Sequence, residues 1–523
     1  MKVYKVLKKE KKYLVAVFLI LVAFVVTRFL FLGMRPIHHD EGMLSYFAWR
    51  IIKDHDYIYT PQIHGPILFY VQAIIFRLFG TSDAATRLGP AIFGVILGMI
   101  PFIFVKYLGK NKALAISALI LVSPLLMYYA RFLVHTALSI VFLLVFVLLA
   151  WRFFVSFNSN YLLWAAAALA LAFGTSETTY IFVAVIFAFI PLFFLLEREK
   201  FIAYWRKTCN FVREQYPDVI SAFLIFVLVW TTIYSVGFTN PKSFILSLPN
   251  PFNKETGLGF WLAQHKVHLG GQPWYYYLIL LAVYEPFAVA AAFFGLLNYA
   301  KTKSAFFLFL AWWALGELIA FSIAGEKFPW LILPTLIAIS TLGGYYLGWG
   351  WAKFRPISKI IWMILFVFSA FVAIRLSFIE PVDTRELAVY VQTPLNFQKV
   401  IDEVTKNCQG AGNFDCVLID SKISWPLSWN FRDFGRLDNL ESNLESRDFP
   451  AQTKYIIVSS ERINKFKALD GWERRRVTLR DWWVPDVCRE PSCISKFIKY
   501  FLFRETWNEK GGYDVYIYRR VFK

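Results

Sequence analysis

The chain has 523 residues, of which 58% are hydrophobic and only 17% charged, and its mean hydropathy is +0.50. A water-soluble protein of this length needs far more charge on its surface, so these values exclude a soluble globular enzyme and indicate a membrane protein. The formal charge of +19 does not indicate a nucleic-acid binder, because Lys and Arg fall in short loops between apolar runs and in the tail, without a basic helix or zinc-finger spacing.

A basic flank, MKVYKVLKKEK, precedes a full-length apolar run from Lys12 to Phe31 that lacks a small-residue cleavage site, so this run is read as a retained first helix. A spanning helix needs roughly 20 mostly apolar residues. Such runs occur at 13–32, 88–107, 113–130, 133–154, 160–175, 177–196, 218–237, 275–298, 304–323, 329–349 and 358–376, which predicts eleven spans. The fifth and sixth share only the polar hinge Gly174-Thr175-Ser176-Glu177. Within 275–298, Glu285-Pro286 is either an intramembrane polar site or a helix boundary.

Loop charge gives a direction. With a cytoplasmic N-terminus, the inner loops are Lys106–Lys112, Trp151–Asn160, Glu197–Pro217, Ala300–Ser304 and Trp351–Lys359, and each carries Lys or Arg. The outer loops carry acidic and His-containing sequence instead, the positive-inside pattern. The expectation is a multi-pass cell-membrane protein with residues 1–378 as the membrane domain and 379–523 as a soluble extracytoplasmic domain.

Two outer loops are long, 33–87 and 238–273. The first contains an apolar helix, Pro66–Phe79, closed by Gly80 and expected to lie along the membrane surface. In the tail, Phe414–Asp420, Tyr455–Ser459 and Tyr513–Tyr518 read as strands of a small α/β domain. Cys408 with Cys416, and Cys488 with Cys493, are spaced for disulfides, whereas Cys209 is expected free and cytoplasmic.

The densest polar cluster is Arg35-Pro36-Ile37-His38-His39-Asp40-Glu41-Gly42, directly after the first span. A sheltered carboxylate there could act as a general base, although a helix cap or a solvated junction would use the same residues. His39 and His64 leave a divalent cation open without a fixed metal spacing, and no other cofactor is expected. Arg77, Arg87 and Arg131 form a second theme. Arg131, in Tyr129-Ala130-Arg131-Phe132, suits a phosphate clamp or a snorkelling span end. The third is the turn Gly325-Glu326-Lys327-Phe328-Pro329-Trp330. These groups are expected to form an outward-facing site for a substrate with a phosphate head and a greasy tail. That chemistry alone does not separate sugar transfer from lipid transport.

At these residues the chain resembles the GT-C superfamily of polyprenyl-phosphate-sugar-dependent glycosyltransferases, in particular the dolichyl-phosphate-mannose–protein mannosyltransferase-like branch and its archaeal surface-glycosylation relatives. The markers are Asp40-Glu41, then His64-Gly65-Pro66-Ile67-Leu68-Phe69-Tyr70, then Phe79-Gly80-Thr81-Ser82-Asp83-Ala84-Ala85-Thr86-Arg87-Leu88. Ser123-Pro124 with Tyr129-Ala130-Arg131-Phe132, and the Gly325–Trp330 turn, complete them.

The resemblance implies a polytopic all-α membrane protein of GT-C type, with about eleven transmembrane helices and a C-terminal extracytoplasmic α/β domain. It further implies a polyprenyl-phosphate-linked sugar donor, inverting transfer to a glycan, lipid or protein acceptor, and an active site on the outer face. Asp40 matches the catalytic acidic position and Glu41 the second member of that motif. Arg131 and Lys327, with Arg87, fall to the donor phosphate, and Glu326, Trp330 and Tyr129 stand beside them; His64 is a further binding candidate, but neither it nor His39 is a general residue of the family, so a metal or an auxiliary acid–base role for them stays open. Trp425-Pro426-Leu427-Ser428-Trp429 resembles a segment of related tails. Membrane lipid is an expected partner and nucleic acid is not. A lipid-linked glycan flippase would instead show internal repeats and helices broken at the bilayer midplane, and a non-catalytic subunit of a glycosylation complex would tolerate loss of Asp40 and Glu41.

Overall fold

Long apolar runs become helices, and proline, glycine and buried carboxylates decide where those helices break. The computed structural model describes residues 2–55, 57–267, 272–298, 304–409, 414–438, 449–465, 469–486 and 492–521. It divides into two units: Met1–Leu30, Asp56–Val71 and Arg87–Ile379 form one, while Phe31–His55, Gln72–Thr86 and Glu380–Lys523 form the other. Much of the first long loop therefore folds with the tail residues.

In the first unit, seven described helices are long and apolar enough to cross a membrane: Glu10–Phe29, His135–Ser156, Thr179–Leu196, Tyr216–Tyr234, Ala305–Ile323, Pro329–Gly350 and Pro356–Ile379. The other four expected spans are also helical but shorter or broken. Leu88–Ile103 and Ser159–Phe173 stop short of a full span. The run 113–130 splits at Ser123 into Lys110–Val122 and Pro124–Tyr129, because Pro124 has no N–H to continue the ladder. The run 275–298 forms Tyr276–Tyr284 and Pro286–Leu297, bent by 101°.

That last break is a helix boundary. Glu285 is buried, and its Oε1 accepts from Ser123 Oγ at 2.7 Å and from the Leu125 amide at 3.0 Å. The carboxylate thus caps the start of Pro124–Tyr129, where the helix dipole favours negative charge. Close backbone packing elsewhere depends on small residues: a Cβ on Gly348 would lie 2.4 Å from Lys112 Cα, so Leu333–Gly350 meets the start of Lys110–Val122 backbone to backbone. The loops are more ordered than their composition suggests. The basic loop 197–217 is mostly one helix, Arg198–Glu214, and the loop 238–273 contains Pro241–Ser247 and Gly257–Gln264.

The second unit is built on a five-stranded sheet of β1 (Val417–Asp420), β2 (Gly435–Asp438), β3 (Tyr455–Ser459), β4 (Trp472–Trp482) and β5 (Gly511–Arg520), in the order β2-β1-β3-β5-β4. β1 is parallel to β2 and β3, whereas β5 is antiparallel to β3 and β4. Alternation along the strands gives the sheet two apolar faces. Val417, Ile419, Ile457 and Ile517 meet Phe397, Val400 and Val404 of the helix Leu395–Cys408, and Leu418, Ile456 and Val458 pack with Phe449 and Leu469. A disulfide joins Cys408 to Cys416, tying the end of that helix to the start of β1. Cys209 is free and exposed, as expected. The expected Cys488–Cys493 pairing lies partly outside the described residues.

Candidate active site

The acidic motif begins a helix in the second unit. His38 is the N-cap of His39–Asp54, with its side chain accepting from the Asp40 amide at 3.0 Å while Glu41 accepts from the His38 amide at 3.1 Å. Glu41 is fully buried and bound to Arg35 Nη2 at 2.8 Å. Its carboxylate therefore closes a reciprocal cap and neutralises a buried arginine. Asp40 differs, because its side chain is 26% exposed. Of the two carboxylates, Asp40 is the one an incoming hydroxyl could reach.

The rings flanking Asp40 are held neutral. His38 Nδ1 accepts from the Asp40 amide, so its proton sits on Nε2 and is donated to the Tyr390 carbonyl at 2.6 Å. His39 Nδ1 lies 2.8 Å from Arg480 Nη1 and 3.2 Å from the Trp425 carbonyl, and its Nε2 is 3.9 Å from Asp40 Oδ1. Desolvation pushes both rings down to about 4, with Arg480 adding to the effect and nearby carboxylates opposing it.

Segments distant in sequence fix this loop. Gln392 Nε2 donates to the Pro36 carbonyl at 3.1 Å and Thr393 Oγ1 to the Ile37 carbonyl at 2.8 Å. Gly42 lies against Pro426, where a Cβ would come within 2.7 Å of Pro426 Cβ. Arg432, stacked 4.0 Å over Trp429, donates to both Thr81 oxygens at 2.9 Å, so the Thr81-Ser82-Asp83 motif is fastened by a tail arginine.

In the first unit, His64 follows the turn Pro61–Ile63 with φ of 65°. Its Nδ1 is 2.8 Å from Glu177 Oε2, while Tyr59 donates to Glu177 Oε1 at 2.7 Å. The His64 ring stacks on Trp261 at 4.6 Å and lies 4.9 Å from His135. The Ile67 amide donates to the Gly174 carbonyl at 2.9 Å. The His64-Gly65-Pro66 motif and the Gly174–Glu177 hinge are thus one structure. Its polar groups hold a turn against the bundle.

The basic motifs meet through aromatic rings. Trp330 packs on Phe132 at 5.9 Å and on Tyr129 at 6.3 Å, bringing the Tyr129–Phe132 turn against the Glu326–Trp330 turn. Arg131 Nη1 donates to the Thr27 and Arg28 carbonyls at 3.1 and 3.3 Å, and its guanidinium lies 4.3 Å over Phe378. Lys327 is largely buried, donates to the Ala324 carbonyl, and is shifted down by desolvation. Glu326 is half-buried in the same turn. Arg87 is buried at the start of Leu88–Ile103.

Among the described residues, no group of three or more His, Cys, Asp or Glu side chains could hold a metal ion. At His39 the Nδ1 position faces the Arg480 cation, and at His64 it faces Glu177. The Arg480 cation opposes a divalent ion at His39.

Sequence reasoning missed Arg28, Arg432 and Arg480. Arg28 is fully buried within the first apolar helix and donates to the Ile120 and Leu121 carbonyls. Arg480 lies where β4 slips register against β5 between Thr478 and Arg480, a bulge that redirects the side chain. No periodic pattern marks such a position in advance.

The chain carries a set of apolar helices in its first unit and a small mixed sheet in its second. Residues 63–230 match the family model of dolichyl-phosphate-mannose-protein mannosyltransferase. Among solved structures, the chain is similar to ArnT from Cupriavidus metallidurans in the apo state, with a TM-score of 0.56 and 15% identity over 80% of this chain and 85% of that one. It is also similar to ArnT from Cupriavidus metallidurans bound to undecaprenyl phosphate, with a TM-score of 0.53 and 13% identity over 96% of this chain and 97% of that one. No curated protein matches the chain in sequence. The resemblance to the GT-C superfamily read from the motifs is borne out.

Proposed function

We propose that this protein transfers a sugar from a polyprenyl-phosphate-linked donor to an acceptor hydroxyl on the outer face of the membrane, with inversion at the anomeric carbon and Asp40 as the general base. The single observation that carries the assignment of the base is the contrast within the acidic pair: Glu41 is sealed in a cap with Arg35, while Asp40 is accessible beside neutral His39. The undecaprenyl phosphate bound by the similar ArnT structure supports a polyprenyl-phosphate donor here.

In this reaction Asp40 accepts the proton of the acceptor hydroxyl as its oxygen attacks the anomeric carbon. The bond from that carbon to the phosphate oxygen breaks on the opposite face, and polyprenyl phosphate leaves as an anion. Arg131 and Lys327 are assigned to that phosphate, and Arg87 supports them. Positive charge stabilises the leaving anion most where water is scarce, and both residues are largely buried. Glu41, Arg35 and Arg480 are positioning residues that hold the Asp40 helix start in place. Incubating the purified protein with polyprenyl-phosphate sugars tests the reading. Release of polyprenyl phosphate is expected from the native protein, and release unchanged in Asp40→Asn would refute the assigned base.

A further inference from the structure

The first unit has a second, unassigned site at the end of the bundle that carries the basic loops. A cavity of about 650 Å³ is lined there by Lys12, Lys110, Lys112, Tyr13, Ala16 and Leu114, among others. It is an open groove rather than an enclosed pocket, so a bound molecule would keep one side outside the protein. Its wall is preformed, because Gly348 brings Leu333–Gly350 against the backbone of Asn111 and Lys112. Two ammonium groups are held by rings: Lys112 Nζ lies 3.9 Å over Tyr345 and Lys110 Nζ 5.0 Å over Tyr13. Lys110 also pairs with Glu10, and both of those side chains are exposed, so an incoming anion can compete for the lysine in water.

The polarity of the cavity is graded along the helices. Ala16 and Leu114 each lie one turn beyond Lys12 and Lys110, so an apolar section follows directly on a cationic one. The helix Glu10–Phe29 that forms one side is apolar yet only 11% buried, as expected for a face turned to lipid. Three lysines at one end, an apolar section beside them and a lipid-facing side together match a molecule with an anionic head and a hydrocarbon tail.

We propose that this cavity binds the phosphate headgroup of an anionic membrane phospholipid, with the lysines on the phosphate and the proximal acyl chain beside Ala16 and Leu114. The site is independent of the transfer reaction, so its test does not read activity. The full-length protein would be stripped of lipid in detergent, titrated with phosphatidylglycerol or phosphatidylcholine, and followed by native mass spectrometry. The native protein should retain phosphatidylglycerol at least tenfold more strongly than phosphatidylcholine. The triple variant Lys12→Gln/Lys110→Gln/Lys112→Gln should lose that preference, and Ala16→Trp, which fills the apolar section and keeps every charge, should weaken retention as well. Lys353→Gln/Lys359→Gln, which removes charge from a neighbouring loop, should leave retention intact. Loss of preference in this control as large as in the triple variant, or an unaltered preference in the triple variant, would overturn the proposal. Full displacement of the lipid by millimolar glycerol phosphate would do the same, since it would identify a soluble phosphate as the ligand.

Discussion

At the level of single residues, neighbouring carboxylates can have unlike duties because their surroundings differ. Asp40→Asn removes a proton acceptor from an accessible position and should lower transfer by about 10²–10⁴-fold, while thermal unfolding of the protein stays unchanged. Glu41→Ala strands the Arg35 charge in a buried site and opens the helix cap, so it should cost about 3–5 kcal/mol of stability, read as a lowered unfolding midpoint. A Glu41→Ala protein as stable as the native one would contradict the assigned role.

The histidines give a pH dependence with a definite sign. His38 and His39 are held near 4 in the folded protein, below the ordinary histidine value of 6.5, chiefly by desolvation. Their contribution to stability is therefore fully present above pH ~6.5 and is lost as pH falls towards 4. Unfolding midpoints measured across that window should decline on acidification. The decline should be shallower in His39→Gln, whose side chain no longer takes up a proton.

Among the structural elements, the acidic loop and the tail act as one construction. Gly42→Ala would place a methyl group 2.7 Å from Pro426 Cβ, and the resulting overpacking should destabilise the second unit by about 1–3 kcal/mol. Hydrogen exchange at the amides of His39–Asp54 reports this directly, with faster exchange in the variant. Reducing the Cys408–Cys416 bond should likewise loosen the helix Leu395–Cys408 against β1, measurable as a lower unfolding temperature in reductant.

The sequence made the elements legible where one physical signal dominates. Unbroken apolar runs marked the helices, β-branched runs marked β1 and β3, and the polar hinge at Gly174 marked a true break. Glu285 was legible as an intrusion but not as a cap, because its partners Ser123 and Leu125 lie about 160 positions away in the chain. Arg432 and Arg480 were illegible for the same reason: their roles arise from tertiary contacts to Thr81 and His39, and an arginine in a turn, as Arg432 is, or in a strand, as Arg480 is, ordinarily faces water. Span length was overread at 113–130, where a proline divided a run of sufficient hydropathy.

For the molecule as a whole, the proposed orientation follows from loop charge and has an independent readout. Cys209 is exposed and free, on the basic helix Arg198–Glu214 that is assigned to the cytoplasmic side. A membrane-impermeant thiol reagent should label it only after cells are permeabilised, whereas labelling of intact cells would reverse the topology.

The proposed reaction is polyprenyl-phosphate-dependent sugar transfer with Asp40 as the base. Its most direct test is to reconstitute the protein in lipid bilayers with a polyprenyl-phosphate sugar and an acceptor extract, and to measure polyprenyl phosphate released together with the anomeric configuration of the product. Release coupled to an inverted glycoside is expected, reduced at least a hundredfold in Asp40→Asn. An Asp40→Asn protein that releases polyprenyl phosphate at the native rate, or a product of retained configuration, would contradict it.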